Sequence, residues 1–300
     1  MTNRSSAPLF IVHKKDAPLG ELPALFGLKN KNKNKENDNE INNFNNFNNF
    51  NNFNDINDIN DINDIDVICS PFETLPSPAF HPPNRPVIIM GGPMGVGDLG
   101  LAEFEWLRKE VSFIEGLLQH NVPLFGVCLG AQLIAHIHGA KVGRHPKDAM
   151  ECGYYETGGH VFPSPPHASS ISLPPSVFHW HEDGIQLGSH SGLFSLGNSP
   201  FQDHVTTDAF VGPRILGVQF HPEVNQKMIQ RWHQNSVHHK ERPGAKPWET
   251  HLPDHALHAP SVRHWLRKAL SEAWGGKASS HTSLSSDIFS SAYDPEKAPL

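Results

Sequence analysis

The sequence predicts an α/β fold in which a parallel sheet is covered by helices on both faces. Three observations carry that expectation. Two short, continuous apolar runs, Pro86–Met90 and Val122–Val127, read as strands buried on both sides. Between them, Phe104, Leu107, Val111, Ile114 and Leu118 recur at helical spacing over Glu103–Leu118. A second helical pattern follows the second run at once, and strands alternating with helices give a parallel sheet.

The elements follow in chain order. Leu9–Val12 is short and apolar, a first buried strand, and Gly20–Leu28 places Leu22, Leu25, Phe26 and Leu28 at roughly helical spacing. Val67–Cys69 reads as a second strand. Pro71–Pro86 carries six prolines, which cannot donate to a helix or sheet ladder, and is expected to be an extended surface connection. After Val122–Val127, Leu129–His138 forms a helix with Leu133, Ile134 and Ile137 on one stripe and Gly139 placed to end it. The second half gives strands at Val177–Trp180, Val205–Val211 and Ile215–Phe220. A closing helix is expected over Ser261–Trp274, capped by Ser261, with Val262, Trp265, Leu266, Leu270 and Trp274 on one face.

Composition sets the limits. Of the 300 residues only 37% are hydrophobic, partly because 17 of the 37 residues from Asn30 to Asp66 are Asn, ending in four Asn-Asn-Phe and four Asn-Asp-Ile repeats. A period of three fits neither strand nor helix, so residues 30–66 read as a disordered insert, with self-association of an Asn-rich tract as the alternative. A Ser-rich tail, 276–300, is likewise expected to be disordered. Residues 1–275, without the insert, then make one ordinary domain. A net charge of −7 with scattered basic residues excludes a nucleic-acid footprint. The apolar run Ala7–Val12 is too short for a signal core or membrane span, so a cytoplasmic protein is expected. Three cysteines, Cys69, Cys128 and Cys152, cannot make a disulfide framework.

Three motifs carry chemistry. Gly126-Val-Cys128-Leu-Gly130 stands between a buried strand and a helix, where a nucleophile sits on a sharp turn at a helix N-terminus that favours the thiolate. In His221-Pro222-Glu223, Pro222 biases His221 to an extended backbone, so His221 and Glu223 project to the same side and the carboxylate can orient the imidazole. Met90-Gly91-Gly92-Pro93-Met94-Gly95 follows a buried strand, and its backbone amides, with that of Leu129, could form an oxyanion hole.

In this order the motifs resemble the class I, or triad, glutamine amidotransferase family over Leu9–Glu223 with the insert left out. The elbow and His-Pro-Glu regions are similar to the GMP synthase-like glutaminase domain and to stand-alone γ-glutamyl peptidase-like members. The resemblance implies a flavodoxin-like doubly wound sheet. It also implies that Cys128 attacks the glutamine γ-carboxamide, that the Gly92 and Leu129 amides hold the oxyanion, and that His221, oriented by Glu223, moves the protons. Gly91, Met94 and Gln132 would line the substrate pocket. The stretch Phe178–Asp183 looks like the family's His-x-Asp segment, whose backbone holds the substrate α-amino and carboxylate groups, which brings in His181 and Asp183. Glu151-Cys-Gly153 falls where relatives carry a Glu-x-Gly turn.

No cofactor is implied. Nothing in the chain resembles the ATP-pyrophosphatase domain that uses the released ammonia, so the expected acceptor is a separate synthetase subunit, or else γ-glutamyl peptides are hydrolysed directly. A non-catalytic scaffold is the third reading, and the intact Cys128, His221 and Glu223 speak against it. Of the 21 histidines, His179 and His181 share a strand face, but no Cys or carboxylate stands at zinc spacing with them, so no metal is expected.

Overall fold

A computed structural model of the chain describes residues 7–15, 17–26, 65–158, 171–201 and 204–275. The expectations for residues 30–64 and for the tail lie outside these. In chain order the elements are β1 (Leu9–Val12), α1 (Leu22–Leu25), β2 (Asp66–Cys69), β3 (Val87–Ile89), α2 (Glu105–Gln119), β4 (Leu124–Val127) and α3 (Leu129–Ile137), then β5 (Lys141–Arg144), β6 (Glu151–Glu156), β7 (Ser176–His181), β8 (Asp183–Gln186), β9 (Phe194–Phe201), β10 (His204–Gly212), β11 (Ile215–Val218), α4 (Gln226–Asn235) and α5 (Trp248–Gly275).

Seven strands form the central sheet in the order β2-β1-β3-β4-β11-β10-β9. The pairs from β2 through β11 are parallel, and β10 and β9 extend that edge as antiparallel strands. Alternation along β1 shows why both faces need cover: Phe10 and Val12 enter one core with Trp265, Leu266 and Leu270 of α5, while Leu9 and Ile11 enter the other with Leu107, Ile114 and Leu117 of α2 and most of α3. This is the doubly wound arrangement expected. Two small antiparallel sheets, β5-β8 and β6-β7, lie outside it.

Three details depart from the sequence reading. The buried face of α2 is Leu107, Glu110, Phe113, Ile114 and Leu117, whereas Val111 and Leu118 are only partly buried. The apolar stripe of the sequence lies one position off the buried face because a charged residue, Glu110, occupies the core. The last helix begins at Trp248, not Ser261, and runs through Pro253 and Pro260. A proline inside a helix costs about 3 kcal/mol. Burial of His251, His255 and Ala259, on the same face as Val262 and Leu266, offsets it. Ser261 is therefore no cap, and its hydroxyl donates back to the His258 carbonyl at 2.7 Å. Short strands β5, β6 and β8 carry too little periodic signal to stand out in the sequence, and helix α4, which buries Met228 and Ile229, is an addition to the sequence reading.

Candidate active site

The elbow forms where β4 ends in the middle of the sheet. Cys128 has φ +49° and ψ −105°, a backbone conformation that costs a side-chain-bearing residue about 1–3 kcal/mol and turns the thiol out of the strand. Its amide donates to the Val218 carbonyl at 2.8 Å, and its carbonyl accepts from the Gln132 amide at 2.9 Å, so strand and helix both hold the turn. The flanking glycines are sterically required. A Cβ on Gly126 would lie 2.6 Å from the Ala131 nitrogen, and one on Gly130 would lie 2.1 Å from the Ile89 oxygen.

His221 and Glu223 follow β11, the parallel neighbour of β4, so both reach the same sheet end as Cys128. The His221 amide donates to the Phe178 carbonyl at 2.8 Å, and the Glu223 carbonyl accepts from the Glu21 amide at 2.9 Å. His221 Nδ1 lies 2.7 Å from Glu223 Oε1. An ionised carboxylate only accepts, so Nδ1 carries the proton and Nε2 is left for the Cys128 sulfur, with which the ring is hydrogen-bonded. All three residues are buried. Burial opposes charge on His221, but Glu223 and Cys128 together outweigh it and push its pKa up to about 10. The ring also meets Trp232 of α4 edge to face, centroids 5.0 Å apart.

Gly91 closes the site. A Cβ there would lie 3.1 Å from His221 Cε1 and 3.4 Å from Cys128 Cβ, so the loop after β3 runs directly past both groups. Its position is fixed from behind by two residues that the sequence reading missed. His13, just after β1, has Nδ1 3.1 Å from the Gly91 carbonyl and Nε2 3.0 Å from Glu110 Oε1 of α2. Because that carbonyl can only accept, Nδ1 donates; a carboxylate at Nε2 then asks for a second proton. Burial works against the charge, yet Glu110 and the Gly91 carbonyl raise the His13 pKa above its ordinary value. The sequence held one signal for this pair, a glutamate on the core face of an amphipathic helix.

Gln132 is buried in α3, its amide 3.4 Å from the Asp183 carbonyl and 3.3 Å from Gln219 Oε1. Gln219, also missed, turns its own amide to Cys128 Sγ at 3.7 Å. Gly95, whose Cβ would lie 2.5 Å from Asp183 Oδ2, brings the glycine loop against β8. Met94 is half-buried beside it. Gly91 and Gln132 thus touch the elbow, and Asp183 is linked to it through Gln132. The His181 side chain does not: it turns away toward Glu151, Nε2 to Oε2 3.3 Å, leaving only its backbone to serve a substrate. Leu129 is the first residue of α3, where its amide has no partner within the helix.

The described residues include one group able to hold a metal: His145, Glu151 and His181, all buried, with ligand atoms within 4.8 Å of one another. The sequence spacing concealed it, because Glu151 meets His181 only through the antiparallel pairing of β6 with β7. No described helix is long and apolar enough to cross a membrane.

A doubly wound sheet with a strained cysteine elbow at the end of a central strand, facing a His–Glu pair from the next strand, is an arrangement at the strand ends where open α/β sheets place their sites. Residues 71–239, more than half of the chain, match the family described as glutamine amidotransferase class-I. The chain belongs to the class-I glutamine amidotransferase family. It is 32% identical over 152 residues to one component of the glutamine-hydrolysing GMP synthase of Saccharolobus solfataricus, covering 48% of this chain and 74% of that one. It is 38% identical over 151 residues to a putative glutamine amidotransferase-like protein of Acanthamoeba polyphaga mimivirus, covering 49% and 60% respectively. The crystal structure of a glutamine amidotransferase from Thermotoga maritima superimposes with a TM-score of 0.62 over 91% of this chain and 99% of the other, at 22% identity, a likeness of fold.

Proposed function

We propose that this chain hydrolyses the γ-carboxamide of glutamine through a cysteine γ-glutamyl thioester. The observation that carries the reading is the contact of Cys128, at its positive φ, with a buried His221 whose other nitrogen is held 2.7 Å from Glu223. The Cys128 thiolate attacks the amide carbon, and the Gly92 and Leu129 amides stabilise the oxyanion that forms. As the tetrahedral species collapses, the C–N bond breaks and His221 passes its Nε2 proton to the leaving nitrogen, releasing ammonia. His221 then takes a proton from water, which attacks the thioester carbon, and the C–S bond breaks to release glutamate and restore the thiolate. Glu223 keeps the proton on Nδ1 throughout. The His13–Glu110 pair serves the same step at one remove. By holding the Gly91 carbonyl, it turns the amide of Gly92 away from His13, since the two point oppositely across a trans peptide, and toward the cysteine.

The relatives whose names describe one component of a GMP synthase support an ammonia acceptor on a separate synthetase chain. The test compares kcat/KM for glutamine and for a γ-glutamyl dipeptide, with Cys128→Ala as the blank. Glutamine is expected to be the better substrate and the Cys128→Ala rate to fall at least ~10⁴-fold. Preference for the dipeptide would move the assignment to a γ-glutamyl peptidase. Turnover surviving in Cys128→Ala would remove the triad altogether.

A further inference from the structure

A second cluster of buried titratable groups lies outside the Cys128–His221–Glu223 set. Glu151 of β6 lies at the centre, with its Oε2 3.3 Å from His181 Nε2, 3.8 Å from His145 Nε2 and 3.9 Å from His179 Nδ1. His179 Nδ1 and His181 Nε2 face each other at 2.7 Å. The four residues are between 0 and 5% exposed, so the cluster is shielded from bulk water. Glu151 Oε2, the atom at the centre, has no hydrogen-bond partner among the described residues.

An oxygen so placed among three imidazoles, without a partner and shielded from water, is suited to one compact positive charge.

Its dimensions say which. Four ligands placed tetrahedrally at about 2.0–2.1 Å from a zinc ion stand roughly 3.3–3.4 Å apart. Four of the six separations among these atoms run from 2.7 to 3.9 Å, the His145, Glu151 and His181 atoms all lie within 4.8 Å of one another, and three nitrogens with one carboxylate oxygen form a donor set that suits zinc. We propose that His145, His179, His181 and Glu151 form a closed structural site for one divalent cation, Zn²⁺, tying the end of β5 to the β6-β7 pair. The ion takes the nitrogen lone pairs of His179 and His181 that otherwise share a proton. Four protein ligands leave no open position, which separates this site from hydrolytic metal centres. A cavity of about 70 Å³ reaches His145, but Glu151, His179 and His181 do not line it. The metal is therefore loaded as the chain folds and exchanges slowly afterwards.

The full chain, produced with Zn²⁺ in the growth medium and dialysed against metal-free buffer, is expected to retain about one zinc per chain by elemental analysis. Glu151→Gln and His145→Ala are expected to weaken zinc binding more than ~100-fold, beyond the 10–100-fold cost of losing a group that merely orients a ligand. His238→Ala, which alters an exposed histidine, is expected to change nothing. Should the two variants misfold, the native chain produced with Co²⁺ gives the answer alone, through the intense visible bands of a tetrahedral site. Less than ~0.1 zinc per native chain, equal zinc in Glu151→Gln and His145→Ala, or only the weak bands of six-coordinate cobalt would each overturn the site. None of these readouts depends on glutamine turnover, so the outcome is separate from that of the proposed reaction.

Discussion

Two histidine–carboxylate pairs flank the Gly91–Gly92 loop, and they differ less in chemistry than in what they face. His221–Glu223 presents its free nitrogen to a thiol, whereas His13–Glu110 presents its own to a backbone carbonyl. Both are buried, and in both a neighbouring carboxylate raises the histidine pKa against the effect of burial. The first pair can give up and regain a proton because sulfur can share it. The second cannot, because a carbonyl never takes the proton away, so the same pair of side chains becomes a fixed strut. The identity of the third atom decides between a proton shuttle and a brace.

That contrast can be broken at three levels of effect. Removing the shuttle costs most. His221→Gln is expected to lower kcat for glutamine by ~10³–10⁴-fold, and Glu223→Gln, which frees the ring to adopt the wrong tautomer, by at least ~10²-fold, with KM little changed in either. A loss below tenfold in both would show that the pair does not carry the proton. Removing the strut costs less. His13→Gln can still donate to the Gly91 carbonyl and is expected to lose about tenfold in kcat, while His13→Ala loses nearer 10²-fold, the range in which one oxyanion donor is lost. Equal stability with unchanged kcat in His13→Ala would leave the Gly91 carbonyl without need of a brace.

The smallest effect is on stability. The folded pKa of His221, about 10, lies above the ordinary value of 6.5. A raised folded pKa stabilises the fold fully below about pH 6.5, and that contribution is lost as pH rises through about 10. Denaturant midpoints of the native chain should therefore fall further between pH 7 and pH 10 than those of His221→Gln. Parallel curves would mean that the pair does not hold its charge in the folded state.

The halves of the molecule are unequally legible. Up to Ile137 the chain is built from buried strands and long amphipathic helices, and there β1, β3, β4 and α3 fall where the apolar periodicity places them. Beyond that point, four-residue strands such as β5 and β8 pair with each other and not with the main sheet, so their patterns are too short to distinguish from loops. The elbow and His221-Pro222-Glu223 are legible because they depend on local backbone chemistry. His13, Glu110 and Gln219 are not, because each matters only through a contact made across 78 to 97 positions of chain. The cluster around Glu151 is a stronger case, since a strand pairing places His181 opposite it and no sequence spacing records such a pairing.

For anyone engineering this chain, the glycine at the second position of α3 inverts a familiar rule. Exchanging a helical glycine for alanine is a standard stabilising move, gaining roughly 0.5–1 kcal/mol from helix propensity. At Gly130 the added methyl would sit 2.1 Å from the carbonyl oxygen of Ile89 and force α3 off β3. Consensus-guided or propensity-guided libraries that treat α3 as an ordinary helix would spend their diversity where none is tolerated, whereas the exposed turns of α5 leave ample room for it.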